Sequence, residues 1–121
     1  MTPDILPPWS ITQGAGFFWQ ALVVDDYPTA ETPYDDWVNH TAAIRIAENM
    51  MATPFWTGTA ICTVDGYVTV QIDQSDTGSF ETMRRVGGQI AAEAEIVITD
   101  PSGDVVMVWQ IPVRIARSLA A

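Results

Sequence analysis

The stretch from Ile90 to Ile115 constrains the fold of this chain more than any other. From residue 90 to 99 apolar residues alternate with polar ones, and successive side chains of a strand point to opposite faces. The run therefore predicts a strand with one buried and one solvated face. The turn sequence DPSG follows at positions 100–103, and a second apolar run begins at Val105. Two such runs joined by a short glycine-containing turn predict a β-hairpin, which indicates an all-β protein.

Shorter stretches along the chain predict further strands and one helix. The strands are predicted at residues 17–24, 41–48, 58–64 and 67–73, and Asp65-Gly66 predicts a tight hairpin turn between the last two. A helix of one or two turns is predicted within residues 75–85, with Ser75 or Asp76 as its N-terminal cap. Six or seven strands over about 100 residues are typical of a β-sandwich.

The strand predicted at residues 17–24 is apolar on both faces. Phe18 and Leu22 lie on one face, and Phe17 and Trp19 lie on the other. Strands of this kind are usually covered on both sides. We therefore expect the second sheet to cover one face, and a loop or a partner to cover the other.

Residues 1–15 are predicted to form an extended Pro-rich arm, and residues 16–121 the β-sandwich domain. Pro7 and Pro8 cannot donate hydrogen bonds to a sheet ladder, which favours an extended segment outside the sheet. Trp9 then anchors the arm either on a neighbouring subunit or on the flank of its own domain. A disordered terminus is a further alternative.

Composition indicates one globular domain. The chain has 121 residues, of which 48% are hydrophobic and 17% charged. No apolar run approaches the roughly 18 residues that a membrane-spanning helix needs. The first ten residues lack the pattern of a signal peptide, so we expect synthesis in a cytoplasm.

The charge balance excludes some partners. Fifteen acidic residues face five basic ones, all of them arginine, and the net charge is −10. Such a chain repels phosphate backbones and anionic lipids, so neither nucleic acid nor a membrane is an expected partner. The acidity either keeps an edge-rich β protein in solution or complements a basic partner. Arginine without lysine is typical of interfaces, although GC-rich codon usage gives the same composition.

Catalytic and metal-binding patterns are absent from the sequence. Cys62 and His40 are each the only residue of their type, so a zinc cluster is not expected. Glu93 and Glu95 are interpreted as solvated charges on a strand and not as an acid–base pair. Residues 25–39 form an acidic loop, but they lack the spacing of a calcium-binding loop, and calcium is the less favoured reading. We therefore expect neither an enzyme nor a cofactor.

The aromatic residues point to binding. Five tryptophans in a chain of this length either pack in the core and at interfaces or stack on sugar rings, and packing is the favoured reading. The residues that we most expect at a subunit contact are Pro7, Pro8, Trp9, Tyr34, Trp37 and Trp56.

Several motifs occur in a suggestive order. They are the loop PYDDW (33–37), the strand AAIRIAE (42–48), the hairpin VDGYVTVQID (64–73), the helical turn SDTGSFETM (75–83) and the hairpin AEAEIVITDPSGDVVMVWQIPVRI (92–115). Over most of residues 16–117 this order resembles a small immunoglobulin-like β-sandwich domain of tailed bacteriophages. The resemblance is to the N-terminal domain of upper-baseplate and tail-fibre structural proteins.

The resemblance implies an immunoglobulin-like β-sandwich of about seven strands with one short helical turn. It also implies a virion protein that binds other virion proteins, as an adaptor, a cement or decoration subunit, or a tail or baseplate component, in a homo-oligomer or symmetric array. Because the relatives extend beyond the domain and this chain stops at Ala121, we expect a standalone subunit. One departure is Gln110-Ile111-Pro112, where the relatives usually have a glycine, and it bears on the pairing of the last strand. The alternative function is carbohydrate binding for attachment to a host surface.

Overall fold

The computed structural model describes residues 4–22, 24–25, 32–33, 39–63, 67–80 and 89–116. This part of the chain contains ten strands and one short helix. In chain order the elements are β1 (Asp4–Ile5), β2 (Trp9–Thr12), β3 (Phe17–Leu22), β4 (Val24–Asp25), β5 (Thr32–Pro33), β6 (Thr41–Ala47), β7 (Trp56–Cys62), β8 (Tyr67–Ile72), α1 (Gln74–Ser79), β9 (Gln89–Thr99) and β10 (Val105–Ala116).

Eight of the strands form one continuous sheet. Their order is β1-β10-β9-β6-β7-β8-β3, and β2 also pairs with β10. The first two strands run parallel to β10, whereas the other neighbours in the sheet are antiparallel. β4 and β5 form a separate two-stranded ladder. The prediction of an all-β protein is confirmed.

The sheet folds over on itself at β7. Residues 56–60 of this strand pair with β6, and Ile61 and Cys62 pair with β8. The two ends of the sheet then face each other across the core. The ring centroid of Trp9 on β2 lies 5.1 Å from that of Phe17 and 5.2 Å from that of Trp19, both on β3. The result is a sheet that nearly closes into a barrel.

The central hairpin forms as predicted. β9 and β10 pair over almost their whole length, and the turn between them is closed by hydrogen bonds. The N–H of Asp100 donates to the carbonyl of Asp104 over 2.9 Å, and the side chain of Asp100 accepts from the N–H groups of Ser102 and Asp104. Gly103 has a φ of +93°, a conformation that glycine adopts without a steric penalty.

The apolar side of each strand supplies the core. The alternation of the hairpin is confirmed, because its inward residues are buried while their neighbours are not. The inward residues of β6 and β8 are buried in the same way. The buried aliphatic residues include Ile44, Ile46, Val68, Val70, Ile72, Ile90, Ile96, Ile98, Ile111, Val113 and Ile115.

The N-terminal segment belongs to the sheet. Residues 4–12 are extended, as expected of an arm, but they run along β10 of the same chain and pair with it on either side of Pro7-Pro8. Trp9 is only 2% exposed. In this structure Trp9 packs on its own domain, which was one of the predicted alternatives. Contact of the segment with a neighbouring subunit stays a prediction.

The helix has the predicted length of one to two turns, but it begins one residue before the predicted range. α1 covers six residues, and its N-cap is Asp73, whose side chain makes no capping hydrogen bond. The predicted caps Ser75 and Asp76 lie inside the helix. The helix is held instead by Thr77, which is fully buried. Its Oγ1 accepts a hydrogen bond from the N–H of Gly14. The same hydroxyl donates to the backbone carbonyl of Ala15 (2.8 Å) or of Gln74 (3.1 Å). The helix thereby holds the turn between β2 and β3.

Two further predictions concern loops. The Asp65-Gly66 turn lies outside the described residues, although the strands on both sides of it pair as a hairpin. The acidic loop 25–39 also lies mostly outside them, but β4 and β5 pair across its base. No helix in the described part of the chain is long and apolar enough to span a membrane.

Candidate protein-binding surface

The outward side of β3, β8 and β7 forms the candidate binding surface. Strand alternation turns Phe17, Trp19 and Ala21 towards the core and leaves the residues between them outside. Cross-strand pairing then sets Phe18 beside Gln71. It also sets Thr69 between Gln20 on β3 and Ile61 on β7. We call this surface the β3–β8–β7 face and define it by Phe18, Gln20, Thr59, Ile61, Thr69 and Gln71.

Two large apolar side chains project from this face into solvent. Phe18 is 62% exposed and Ile61 is 66% exposed. They lie two strand spacings apart across the sheet, about 10 Å, and are offset by two residues, about 7 Å, along the strands. The remaining four residues of the face carry amide or hydroxyl groups. The face therefore combines apolar area with groups that can both donate and accept hydrogen bonds.

The six residues that define the β3–β8–β7 face carry no ionisable side chain, although the chain has a net charge of −10. Tyr67 lies at one end of the same side of β8, and the exposed carboxylate of Asp73 follows the strand at the other end. The outward side of β6, β9 and β10 differs, because it presents Arg45, Glu93, Glu95 and Arg114. Burying a charge in a contact is costly unless it is paired. The centres of protein interfaces are accordingly depleted of charged residues. On this criterion the β3–β8–β7 face is the better suited of the two to become buried.

β3 is also an edge of the sheet. It pairs with β8 along its whole length, and no strand among the described residues pairs with its other side. An edge strand presents a row of backbone donors and acceptors that can extend the sheet with another strand. An open cleft of about 500 Å³ continues the face beyond Phe18, and its lining includes Gly16, Gln71 and one charged residue, Asp73.

One of the two expectations about β3 remains a prediction. Phe17 and Trp19 pack on the core, as expected of one face, but none of the described residues covers Phe18, so cover of the other face by a loop or a partner is not tested. The sequence signal for this surface is weak. Phe18 shares its side of β3 with Gln20 and Leu22, and Ile61 shares its side of β7 with Thr59. Alternation shows on which side a residue lies, but it does not show whether that side is covered.

The described members of the predicted contact set are not brought together. Pro7 and Pro8 are exposed on the β10 edge, and Trp9 is buried. Trp56 is half-buried, and its indole N–H donates to a carboxylate oxygen of Asp76 over 3.3 Å. These four residues do not form a single surface. The predicted contacts Tyr34 and Trp37 lie outside the described residues and stay predictions.

Gly58 explains why Trp56 is held in place. A Cβ atom built on Gly58 would approach the indole ring of Trp56 to 2.5 Å, so the ring lies directly over this glycine. Together with the hydrogen bond to Asp76, the close packing fixes the ring against its own strand. Its near face is therefore not available for stacking on a ligand.

Proline interrupts the pairing of the last strand on one side only. The ladder between β9 and β10 continues through Pro112, which lies opposite Glu93. On the other side of β10, pairing stops between Ile5 and Trp9, where Pro7 and Pro8 lack N–H donors. A small cleft of about 140 Å³ lies beside this gap and is lined in part by Ile5 and Pro112.

Among the described residues, little supports catalysis or metal binding. They contain no group of three or more His, Cys, Asp and Glu side chains that could hold a metal ion. Burial raises the pKa of the Cys62 thiol, which lowers the share of the reactive thiolate at neutral pH. The side chains of the acidic loop, where calcium was considered, lie outside the described residues.

The residues of the β3–β8–β7 face define its binding chemistry. Its chemistry is that of an uncharged, partly apolar sheet face with an edge strand beside it. Such a surface can bind a protein through side chains and through backbone pairing. No protein-family model matches this chain, and no curated protein matches it either.

Proposed function

We propose that this chain is a structural protein of a bacteriophage virion that binds other virion subunits. It would act as an adaptor, a cement or decoration subunit, or a component of the tail or baseplate. The observation that carries the binding role is the uncharged β3–β8–β7 face, from which Phe18 and Ile61 project in a strongly acidic chain. The virion setting rests on the resemblance of the strand and loop motifs to phage sandwich domains.

We also propose that the fold is an immunoglobulin-like β-sandwich. Two layers support this, one containing β2, β10, β9 and β6, the other β8 and β3, with β7 shared between them. Side chains of the two layers meet in the core, as when the Trp19 ring lies 6.2 Å from the Trp109 ring. This arrangement is the one expected of sandwiches whose inner faces interdigitate.

Burial of Phe18 and Ile61 would supply binding energy for the proposed contact. Fully burying an apolar side chain of this size is worth roughly 1.5–3 kcal/mol. Phe18 and Ile61 together would therefore contribute about 3–6 kcal/mol before the costs of association are subtracted. Few residues carry most of the binding energy of an interface, so two well-placed apolar side chains suffice to define one.

The described tryptophans favour protein binding over the carbohydrate alternative. Trp9 and Trp109 are buried, Trp19 packs against the core, and Trp56 lies over Gly58. A sugar-stacking platform needs an exposed ring. Trp9 and Trp109 have none, and Trp19 and Trp56 each pack part of the ring against their own chain. The fifth, Trp37, lies outside the described residues.

Labelling of phage particles tests the proposal. Antibody against this chain should place gold label on purified particles in negative-stain images, at one fixed position on the particle. The position would also distinguish capsid, neck and baseplate. Particles without label, together with free chain in the same lysate, would refute a virion role.

A matched pair of variants tests the surface. Ile61→Glu introduces a charge into the β3–β8–β7 face, whereas Ile5→Glu makes the same change at a similarly exposed site on the opposite side of the molecule. We expect Ile61→Glu to lose particle occupancy and Ile5→Glu to keep it. Equal occupancy for both would show that this face is not the contact. Glycan titration followed by tryptophan fluorescence completes the test, since saturable micromolar binding would favour the carbohydrate alternative.

A further inference from the structure

The edge strand β3 and the uncharged face beside it occur together, and this juxtaposition limits what can bind there. β3 has six residues, and among the described residues only β8 pairs with it. A bound strand would therefore extend the sheet at this edge and lie next to Phe18 and Gln20. The occupant must supply a strand and tolerate a surface without charges.

Charge favours a second copy of this chain as that occupant. A basic partner gains from contact with carboxylates, and the β3–β8–β7 face offers none. Two copies, each with a net charge of −10, repel one another over most approaches. They can meet closely only where few carboxylates oppose one another, and β3 itself, from Phe17 to Leu22, carries no charged side chain.

Strand geometry makes β3 self-complementary. Two β3 strands can pair antiparallel about a twofold axis, as isologous dimer contacts require. Residues opposite each other must point to the same side of the sheet, so only alternate registers keep the face continuous. In the two registers that use most of β3, Gln20 lies opposite either Gln20 or Phe18 of the second copy.

We propose that this protein dimerises by pairing β3 of one copy with β3 of another, which joins the two sheets and places the two Phe18 side chains on one continuous face. The inference rests on the proposed function only in that it takes this face to bind protein. It adds the identity of the partner and the position of the twofold axis. The joined face would then offer a wider surface to other virion subunits.

Charge-swap variants at Gln20 test the pairing. Gln20→Glu and Gln20→Arg each place two like charges close to the twofold axis. The charges lie directly opposite each other in the Gln20–Gln20 register and diagonal to each other in the Gln20–Phe18 register, and like charges on neighbouring strands destabilise the pair. Each variant alone should dimerise at least about tenfold more weakly than the wild type. Mixing the two variants should restore the dimer, since opposite charges then face each other. Sedimentation velocity and native mass spectrometry measure both effects.

Gln110 provides the matched control. It lies on the opposite side of the molecule, and the same two substitutions there should leave the dimer unchanged. Salt provides a second discriminating measurement. Because residual repulsion between two acidic copies is screened at high ionic strength, the dimer should tighten as salt rises, whereas a contact with a basic partner would weaken.

Three results would overturn the inference. They are a wild-type chain that stays monomeric at millimolar concentration, equal effects of the Gln20 and Gln110 variants, and no recovery on mixing. A monomeric chain that still labels particles would refute the dimer and leave the proposed function standing. A dimer with the expected charge-swap pattern on a chain absent from particles would support the dimer and refute the virion role.

Discussion

Replacing Trp9 with alanine should remove a large part of the stability of this domain. The indole is 2% exposed and lies against the rings of Phe17 and Trp19. A buried aromatic side chain removes roughly 150–250 Å² from water, which at about 25 cal/mol per Å² corresponds to some 4–6 kcal/mol. The indole N–H has no acceptor among the described residues. Removing this unpaired buried donor therefore offsets part of the free energy lost with the ring. We therefore expect a decrease of about 3–5 kcal/mol in the free energy of unfolding.

Urea unfolding followed by far-ultraviolet circular dichroism measures this change without depending on tryptophan emission. Ser10→Ala is the control, because Ser10 is the exposed neighbour on the same strand and its loss should stay within about 0.5 kcal/mol. Trp9→Phe keeps a ring and removes the unpaired N–H, so it should cost less than half as much as Trp9→Ala. A loss below about 1 kcal/mol for Trp9→Ala would refute the conclusion that β2 closes the core. It would favour an arm that is free to bind elsewhere.

Three further substitutions test separate parts of the fold. Gly103→Ala should cost about 1–2 kcal/mol by thermal unfolding, because φ is +93° there and no neighbouring atom is in the way; an unchanged midpoint would contradict the turn geometry. Thr77→Val should cost about 1–3 kcal/mol, since it leaves the N–H of Gly14 without its acceptor, whereas Thr59→Val on the exposed face should be nearly neutral. Burial raises the pKa of the Cys62 thiol, so the folded state binds this proton more tightly than the unfolded state. The resulting stabilisation is present below the ordinary thiol pKa of about 8.5 and is lost as the pH rises through the pKa of the folded state. Alkylation of Cys62 should therefore be slower in the folded chain than in urea at the same pH. Equal alkylation rates would contradict the raised pKa.

Local signals account for what the sequence predicted well. The hairpin of β9 and β10 is specified by neighbouring residues, because the turn at 100–103 sets the connection and the alternation from Ile90 sets the buried side. The pairing of β7 with β8 was predicted from the same two signals, a turn sequence and alternating residues. Their agreement with the structure reflects short-range physics that one sequence displays directly.

Long-range pairing accounts for what the sequence did not predict. Nothing near Trp9 shows that its strand runs parallel to residues 113–116, since the partner lies more than a hundred positions away. Pro7 and Pro8 argued against any ladder, and they do interrupt one, but the residues on both sides of them still pair. The candidate surface was missed for a related reason. Whether Phe18 is covered depends on the path of distant segments and not on its neighbours in sequence.

The parallel pairing of β2 with β10 also has a consequence for the order of folding during synthesis. β2 has no edge to join until residues 113–116 have been made, and at about 5–20 residues per second this interval lasts roughly 5–20 s. Throughout that time Trp9 and Ile11 belong to an apolar segment without its partner, which is a hazard for aggregation. Pro7 and Pro8 directly precede this segment and cannot donate hydrogen bonds to a foreign strand. The two prolines that interrupt the ladder in the finished fold therefore also protect the nascent chain before its last strand exists.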